Sequence, residues 1–342
     1  MNFLLAPAIF VMNRMRFGAK FAFILIGFVF TTGLLLGVLV TDRISAYRVE
    51  QRELRGAQVL PDFYALIMSL QQHRGMSAAA LAGDDAMASK LPAKRAEVEA
   101  AFKALESVVA EAGIDTGLPG ELATLKGEWS ALVEGKFDAA DSFARHTRLV
   151  TDARNLTSRA GDAFALILDP TSVGYHLADL LINQIPELAE THARVRGTGA
   201  KVLADGVATP EELSQLQAIL ELAADRQSHI TRVYEILRSQ DPAVAARIEA
   251  QIGKVASAQR AVADSVAAMR TGAVPAAQNF FVLATEPVVD SFDLSKVGTD
   301  ALNALLQAGR LLHTVARELP LEAVAQAHDL VEQQPPMGGV VL

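Results

Sequence analysis

Residues 21–40 (FAFILIGFVFTTGLLLGVLV) carry no charge, and beyond them apolar positions recur three and four apart without any sustained apolar/polar alternation. At 1.5 Å per residue, twenty helical residues span about 30 Å, the thickness of a bilayer hydrocarbon core. The segment is longer than the apolar stretch of a secretory leader and no A-x-A site follows it, so it reads as an uncleaved transmembrane helix. Arg14, Arg16 and Lys20 before it are balanced by Arg43, Arg48, Arg52 and Arg55 after it. Charge therefore gives little orientation.

Helical spacing with no strand-like alternation predicts an all-α fold. The first helix continues to about Leu81, with Ala57, Leu60, Tyr64, Ile67 and Gln71 on one face, Leu70, Ser77 and Leu81 beside it, and a stop at Gly83-Asp84-Asp85. Further helices are expected over Ala86 to Ala110, from Pro119 past Trp129, and over Ala139 to Leu168, where Asp169-Pro170 pushes the chain out of helical geometry. A long helix from Val173 to Leu203 follows. Thr209, Pro210 and Glu212 then have the spacing of a capping box with proline at the first helical position. That helix ends near Ser239, the next starts at Asp241-Pro242, and Val274-Pro275 separates it from a last helix running to about Glu318. Arg310, His313 and Arg317 break any second apolar run of spanning length. Leu319 to Gln334 reads as a short helix and Pro335 to Gly339 as a flexible tail.

One pattern occurs twice. Arg74-Gly75-Met76-Ser77-Ala78-Ala79-Ala80-Leu81-Ala82-Gly83-Asp84 is echoed by Arg196-Gly197-Thr198-Gly199-Ala200-Lys201-Val202-Leu203-Ala204-Asp205-Gly206. A fainter echo relates Phe143, Thr147 and Val150 to Phe281, Thr285 and Val288. The expected organisation is an interfacial or cytoplasmic N-terminus (1–20), a transmembrane helix (21–40), helical module 1 (41–170), helical module 2 (171–318) and a tail (319–342). The two modules are read as stacked antiparallel bundles sharing long helices.

Glycine inside a helix costs about 1 kcal/mol relative to alanine, so Gly75 and Gly197 at matched positions call for a reason. Small-residue patches let helices approach closely, and a crossing there would bring Arg74 and Arg196 to one cleft. Two guanidinium groups about 6 Å apart at an effective dielectric near 20 repel by about 3 kcal/mol, so something negative belongs between them. A small anion or ligand carboxylate would serve. So would internal carboxylates, with Asp162, Asp169, Asp179 and Glu187 available, and the residues alone leave both readings open.

Composition removes other classes. The chain has 342 residues, 51% hydrophobic, and a net charge of −8, which argues against a nucleic-acid partner. It has no cysteine, hence no disulfide or thiolate site. The seven histidines lack the spacing of a helical metal site, and no glycine-rich phosphate loop, G-x-S-x-G or H-E-x-x-H motif occurs. Neither a metal, a cofactor nor an enzymatic activity is expected.

Gln71-Gln72-His73-Arg74-Gly75-Met76-Ser77, the Leu168-Asp169-Pro170 turn followed by Tyr175, and Asn183-Gln184-Ile185-Pro186-Glu187-Leu188 resemble the helical periplasmic sensor region of bacterial methyl-accepting chemotaxis proteins. The Q-x-x-R-G-x-S signature is also similar to that of nitrate- and nitrite-sensing helical domains, in which an arginine from each half grips the anion. The resemblance covers about residues 1–310. It implies a membrane-anchored sensor with Arg74 and Arg196 as the anion pair and Gly75, Ser77 and Gly197 beside them. It further implies a single-pass protein of the bacterial inner membrane, with a cytoplasmic N-terminus and a periplasmic bulk. The expected partners are a small anion, the lipid bilayer, and a second copy or a signalling receptor. Receptors of this kind continue into a second span, a HAMP linker and a signalling domain, which this sequence does not show. A truncated receptor fragment or a non-signalling interaction protein is therefore the alternative expectation.

Overall fold

The structure is a computed structural model that describes residues 10, 14–112, 117–168, 171–203, 208–309, 315–318 and 339–341. It divides into two compact units, 1–51 and 52–342. The first consists mainly of the start of helix α1 (Phe17–Leu81). Its apolar side chains, Phe21, Leu25, Phe28, Leu35 and Leu39 among them, are exposed. Two hydroxyls in this stretch donate to carbonyls of their own helix, Thr31 to Gly27 and Ser45 to Thr41, both at 2.9 Å. This leaves a surface with no unsatisfied donor at those positions, as an apolar solvent requires. The helix is long and apolar enough to cross a membrane.

The second unit is built almost wholly of helices. The later part of α1 buries Ala57, Leu60, Tyr64, Ile67, Leu70, Gln71 and Ser77, the face expected from spacing, while Leu81 is exposed. The helix stops where Gly83 takes φ 96°. Then come α2 (Asp85–Ala112), α3 (Leu118–Glu134, carrying the buried Trp129) and α4 (Ala139–Ala163). α4 ends earlier than the expected Leu168. Ala165 lies in the left-handed region at φ 62°, and Phe164 folds against α1 at Gly56, where a Cβ would stand 2.4 Å from that of Phe164. A short 3-10 turn, Leu166–Leu168, takes the remaining residues.

α5 (Ser172–Asp179) runs into α6 (Ile185–Val202) through a π turn, Leu180–Gln184. Pro186 explains that turn. Its ring clashes with the preceding turn of an α-helix and it has no N–H to donate. With Ile185 N–H donating to the Leu180 carbonyl, the five-residue step would require Pro186 to serve Leu181. The Tyr64 hydroxyl donates to the Leu181 carbonyl instead, at 2.9 Å. Burial raises the pKa of that hydroxyl, keeping it a donor.

The expected capping box opens α7 (Pro210–Gln240): Glu212 N–H donates to the Thr209 hydroxyl at 3.3 Å, and Thr209 N–H to the Glu212 carboxylate at 3.1 Å. Asp241 caps α8 (Pro242–Met269), accepting from the N–H groups of Ala243 and Val244 at 3.0 Å each. The expected single last helix is two, α9 (Ala277–Leu283) and α10 (Glu286–Gly309). Pro287 cannot donate back to Leu283, which is why the helix breaks at Ala284 and Thr285. Past Gly309 the described segments β1 (Val315–Glu318) and β2 (Gly339–Val341) pair as short parallel strands, correcting the helix expected to Glu318. Valine at three of the seven positions suits extended backbone. The helix expected over 319–334 and residues 335–338 of the expected tail lie outside the described residues.

One apolar cluster runs from Ala57 to Leu302 and includes Phe63, Phe102, Trp129, Leu156, Leu181 and Leu294. It crosses the Asp169-Pro170 boundary without interruption. A second, smaller cluster joins α6, α7, α8 and α9 through Val195, Leu216, Val262 and Phe280. Together these two clusters fix the helices that carry the repeated arginines.

Candidate functional site

Gln71 and Arg74 stand three residues apart on α1, hence on one face. Both reach Glu190 of α6. Arg74 donates to Glu190 through both terminal nitrogens, Nη1 to Oε1 at 2.8 Å and Nη2 to Oε2 at 3.0 Å, and Gln71 Nε2 donates to Oε2 at 2.9 Å. The Arg74 and Glu190 side chains are 3% and 5% exposed. This planar fork on a carboxylate is the geometry arginine supplies and lysine cannot.

Helix α4 completes the Arg74 half. The guanidinium lies 5.2 Å over the Phe143 ring and Nη1 donates to the Thr147 hydroxyl at 3.1 Å. The Thr147 hydroxyl in turn donates to the Phe143 carbonyl at 2.8 Å. The second half repeats the plan around Arg196 on α6. Its guanidinium lies 5.1 Å over Phe281 of α9, and the Thr285 hydroxyl donates to the Phe281 carbonyl at 2.7 Å. The halves differ in one respect: Arg196 is 8% exposed yet makes no hydrogen bond or ion pair among the described residues.

The two arginines feel each other. Burial, reinforced by the Arg74 charge and opposed by Glu190, pushes the pKa of Arg196 down to about 10. It still carries its charge at neutral pH. Glu190 thus lies within electrostatic reach of both guanidinium groups and is hydrogen-bonded to one of them. The sequence suggested a paired carboxylate but not this one. Of the suggested candidates, Glu187 binds Arg154 and, at 3.0 Å, Arg226, while Asp179 accepts from Asn183 and Gln184. Asp169 lies outside the described residues.

The glycines behave differently from what helix crossing predicts. A Cβ on Gly75 would meet nothing within 4 Å, and one on Gly197 would touch only Phe143, at 3.9 Å. Neither position requires a close backbone approach. Gly199 does: a Cβ there would fall 2.0 Å from Phe280 Cε1. That contact seats the residue next to Phe281, the ring beneath Arg196. The second glycine of the Arg-Gly-x-Gly copy is therefore the sterically required one.

Ser77, one turn beyond Arg74, lies 3.2 Å from His73 Nδ1. His73 is also 2.8 Å from His146 Nε2, and its ring stands edge-on to Trp129 with centroids 4.7 Å apart. His146 Nδ1 donates to the Ser142 carbonyl at 2.7 Å, so its Nε2 is the acceptor and His73 Nδ1 carries the proton. Burial, helped by His146 and nearby Arg95 and Lys94, lowers the His73 pKa to about 4. Burial also lowers that of His146, and the Arg74 charge adds to it. The pair is a neutral wall beside the charged site. No group of three or more metal-binding side chains occurs among the described residues.

A family model described as nitrate and nitrite sensing matches residues 65–308, most of the chain and all of this site. The chain belongs to that family. A solved structure described as the NasR transcription antiterminator is similar in fold, with a TM-score of 0.55 at 16% identity, over 87% of this chain and 80% of that one. No curated protein matches this chain. A sensory role and a predominantly helical fold follow from the family, and the arginine pair lies within the matched region.

Proposed function

We propose that this chain is a membrane-anchored sensor that binds a nitrate-like monoanion between Arg74 and Arg196. The observation that carries the reading is Arg196: a buried, charged guanidinium over an aromatic ring, beside a second arginine, with no carboxylate of its own. Burying such a group unpaired is costly, and an anion held across the site relieves both that cost and the repulsion from Arg74. In this reading Arg74 and Arg196 hold the charge of the ligand. Gly75 and Ser77, next to Arg74 in sequence, and Gly197, against the Phe143 ring, complete the lining. The division into residues 41–170 and 171–318 is kept as two halves of one site, each giving an arginine, a phenylalanine and a threonine.

The same reading places residues 21–40 across the bacterial inner membrane, with the N-terminus cytoplasmic and the bulk periplasmic. The exposed apolar side chains of α1 and the Thr31 hydroxyl, which bonds within its own helix, support it. Output through a second copy or a signalling receptor, as in chemotaxis, fits a sensor of this kind. The Arg74–Glu190 pair favours a second reading in which Arg74 is structural, but that reading gives Arg196 no partner. Thermal unfolding of the detergent-solubilised chain in sodium nitrate separates the two. Stabilisation of the wild type that is absent in Arg196→Ala supports the sensor, and no stabilisation of either leaves the structural reading.

A further inference from the structure

Glu190 distinguishes the two halves of the site. Arg74 and Arg196 each lie over a phenylalanine ring, Phe143 and Phe281, yet the fork of Arg74 is filled by a carboxylate of the chain itself while Arg196 has no hydrogen-bond partner among the described residues. A planar carboxylate on a guanidinium presents two oxygens much as nitrate or nitrite would. Glu190 thus occupies, in one half, the kind of position an anion would take in the other.

The charge balance follows from this. At the site itself the nine-tenths buried charged groups are Arg74, Arg196 and Glu190, and they sum to one positive charge. Arg154 and Arg226, 18% and 27% exposed, share the one carboxylate of Glu187, 26% exposed, and so add one further positive charge at the partly exposed edge of the site, where water screens it. His73 and His146 are neutral. A monoanion brings the buried cluster to zero, whereas a dianion leaves one negative charge out of water, opposed only by the screened charge at the edge, which is unfavourable.

We propose that Glu190 is the specificity-determining residue of the anion site, setting its charge so that monoanions are accepted and dianions rejected. The proposal rests on the anion-site reading above. Replacing Glu190 by glutamine keeps the shape and much of the hydrogen bonding but raises the cluster to two positive charges, the complement of a dianion.

The test is isothermal titration of sodium nitrate and sodium sulfate into the full chain in detergent, at constant ionic strength. The wild type is expected to prefer nitrate, and Glu190→Gln to move the nitrate/sulfate affinity ratio towards sulfate by at least about tenfold. An unchanged ratio in Glu190→Gln overturns the proposal while wild-type nitrate binding keeps the anion site standing. Absence of binding by the wild type to either salt overturns the site itself, and this inference with it. Should Glu190→Gln not fold, Glu190→Asp keeps the wild-type net charge on a shorter side chain and leaves both arginines in place. Retained nitrate preference there supports charge as the determinant, and a sulfate preference contradicts it.

Discussion

Arg74 and Glu190, 116 residues apart in sequence, meet in a two-pronged ion pair with oxygen–nitrogen distances of 2.8 and 3.0 Å, both side chains out of water. The pair joins α1 to α6 at the position where the first repeated arginine faces the second. It is both a strut between the halves and the nearest negative charge to the candidate anion site.

Removing one member leaves the other buried and uncompensated, so Arg74→Ala and Glu190→Ala are each expected to cost about 3–5 kcal/mol. The double variant is expected to cost less than the sum of the singles, with a coupling of about 1–3 kcal/mol. Unfolding of the four proteins, followed by circular dichroism, measures this. Additive losses would contradict a direct, energetically coupled pair.

The two kinds of glycine give opposite expectations. At Gly75 a Cβ meets open space within a helix, so Gly75→Ala is expected to stabilise by up to about 1 kcal/mol. At Gly199 it collides with the Phe280 ring, which belongs to the smaller buried cluster. Gly199→Ala is therefore expected to destabilise by about 1–3 kcal/mol and to weaken anion binding by displacing α9, which carries Phe281. Melting temperatures of both variants decide this, and equal effects would contradict the steric distinction.

The sequence conveyed much of this architecture because helix ends depend on local chemistry. Gly83, the Thr209 capping box and Asp241 each mark a boundary through their own backbone or side chain, and the structure places boundaries there. Where a proline acts inside a helical run, the outcome was less legible: Pro186 yields a π turn because Tyr64 can reach the freed carbonyl, whereas Pro287 breaks the helix. Only tertiary packing distinguishes those cases. The arginine pair was legible as a repeat, and Phe143, Thr147, Phe281 and Thr285 as a fainter one. Glu190 was not, because α6 is buried around most of its circumference and spacing gives no face on which a carboxylate looks out of place. The local signal for it was the i, i+3 pair of Gln71 and Arg74, two donors that converge on one acceptor.

Acid sensitivity is expected from the buried histidines, and His192 isolates it. It lies between Gln259 and the Pro287 carbonyl, at 3.0 and 3.1 Å, and burial lowers its pKa from 6.5 to about 4. Between those values the unfolded chain binds more protons than the folded one, so stability falls as pH falls. The loss is absent above about pH 6.5, complete below about pH 4, and amounts to about 3 kcal/mol for this residue. Comparing the pH dependence of unfolding in the wild type and His192→Gln tests it. The variant is expected to lose stability less steeply over that window, and parallel curves would contradict the assignment.

The central claim is that Arg196 is an anion-binding cation left free by the fold. Isothermal titration of sodium nitrate into the full chain and into Arg196→Ala tests it most directly. The account predicts saturable binding by the wild type and at least about tenfold weaker binding by the variant, the scale of losing one charge-assisted contact. Equal binding by the two proteins, or none by the wild type, would contradict it.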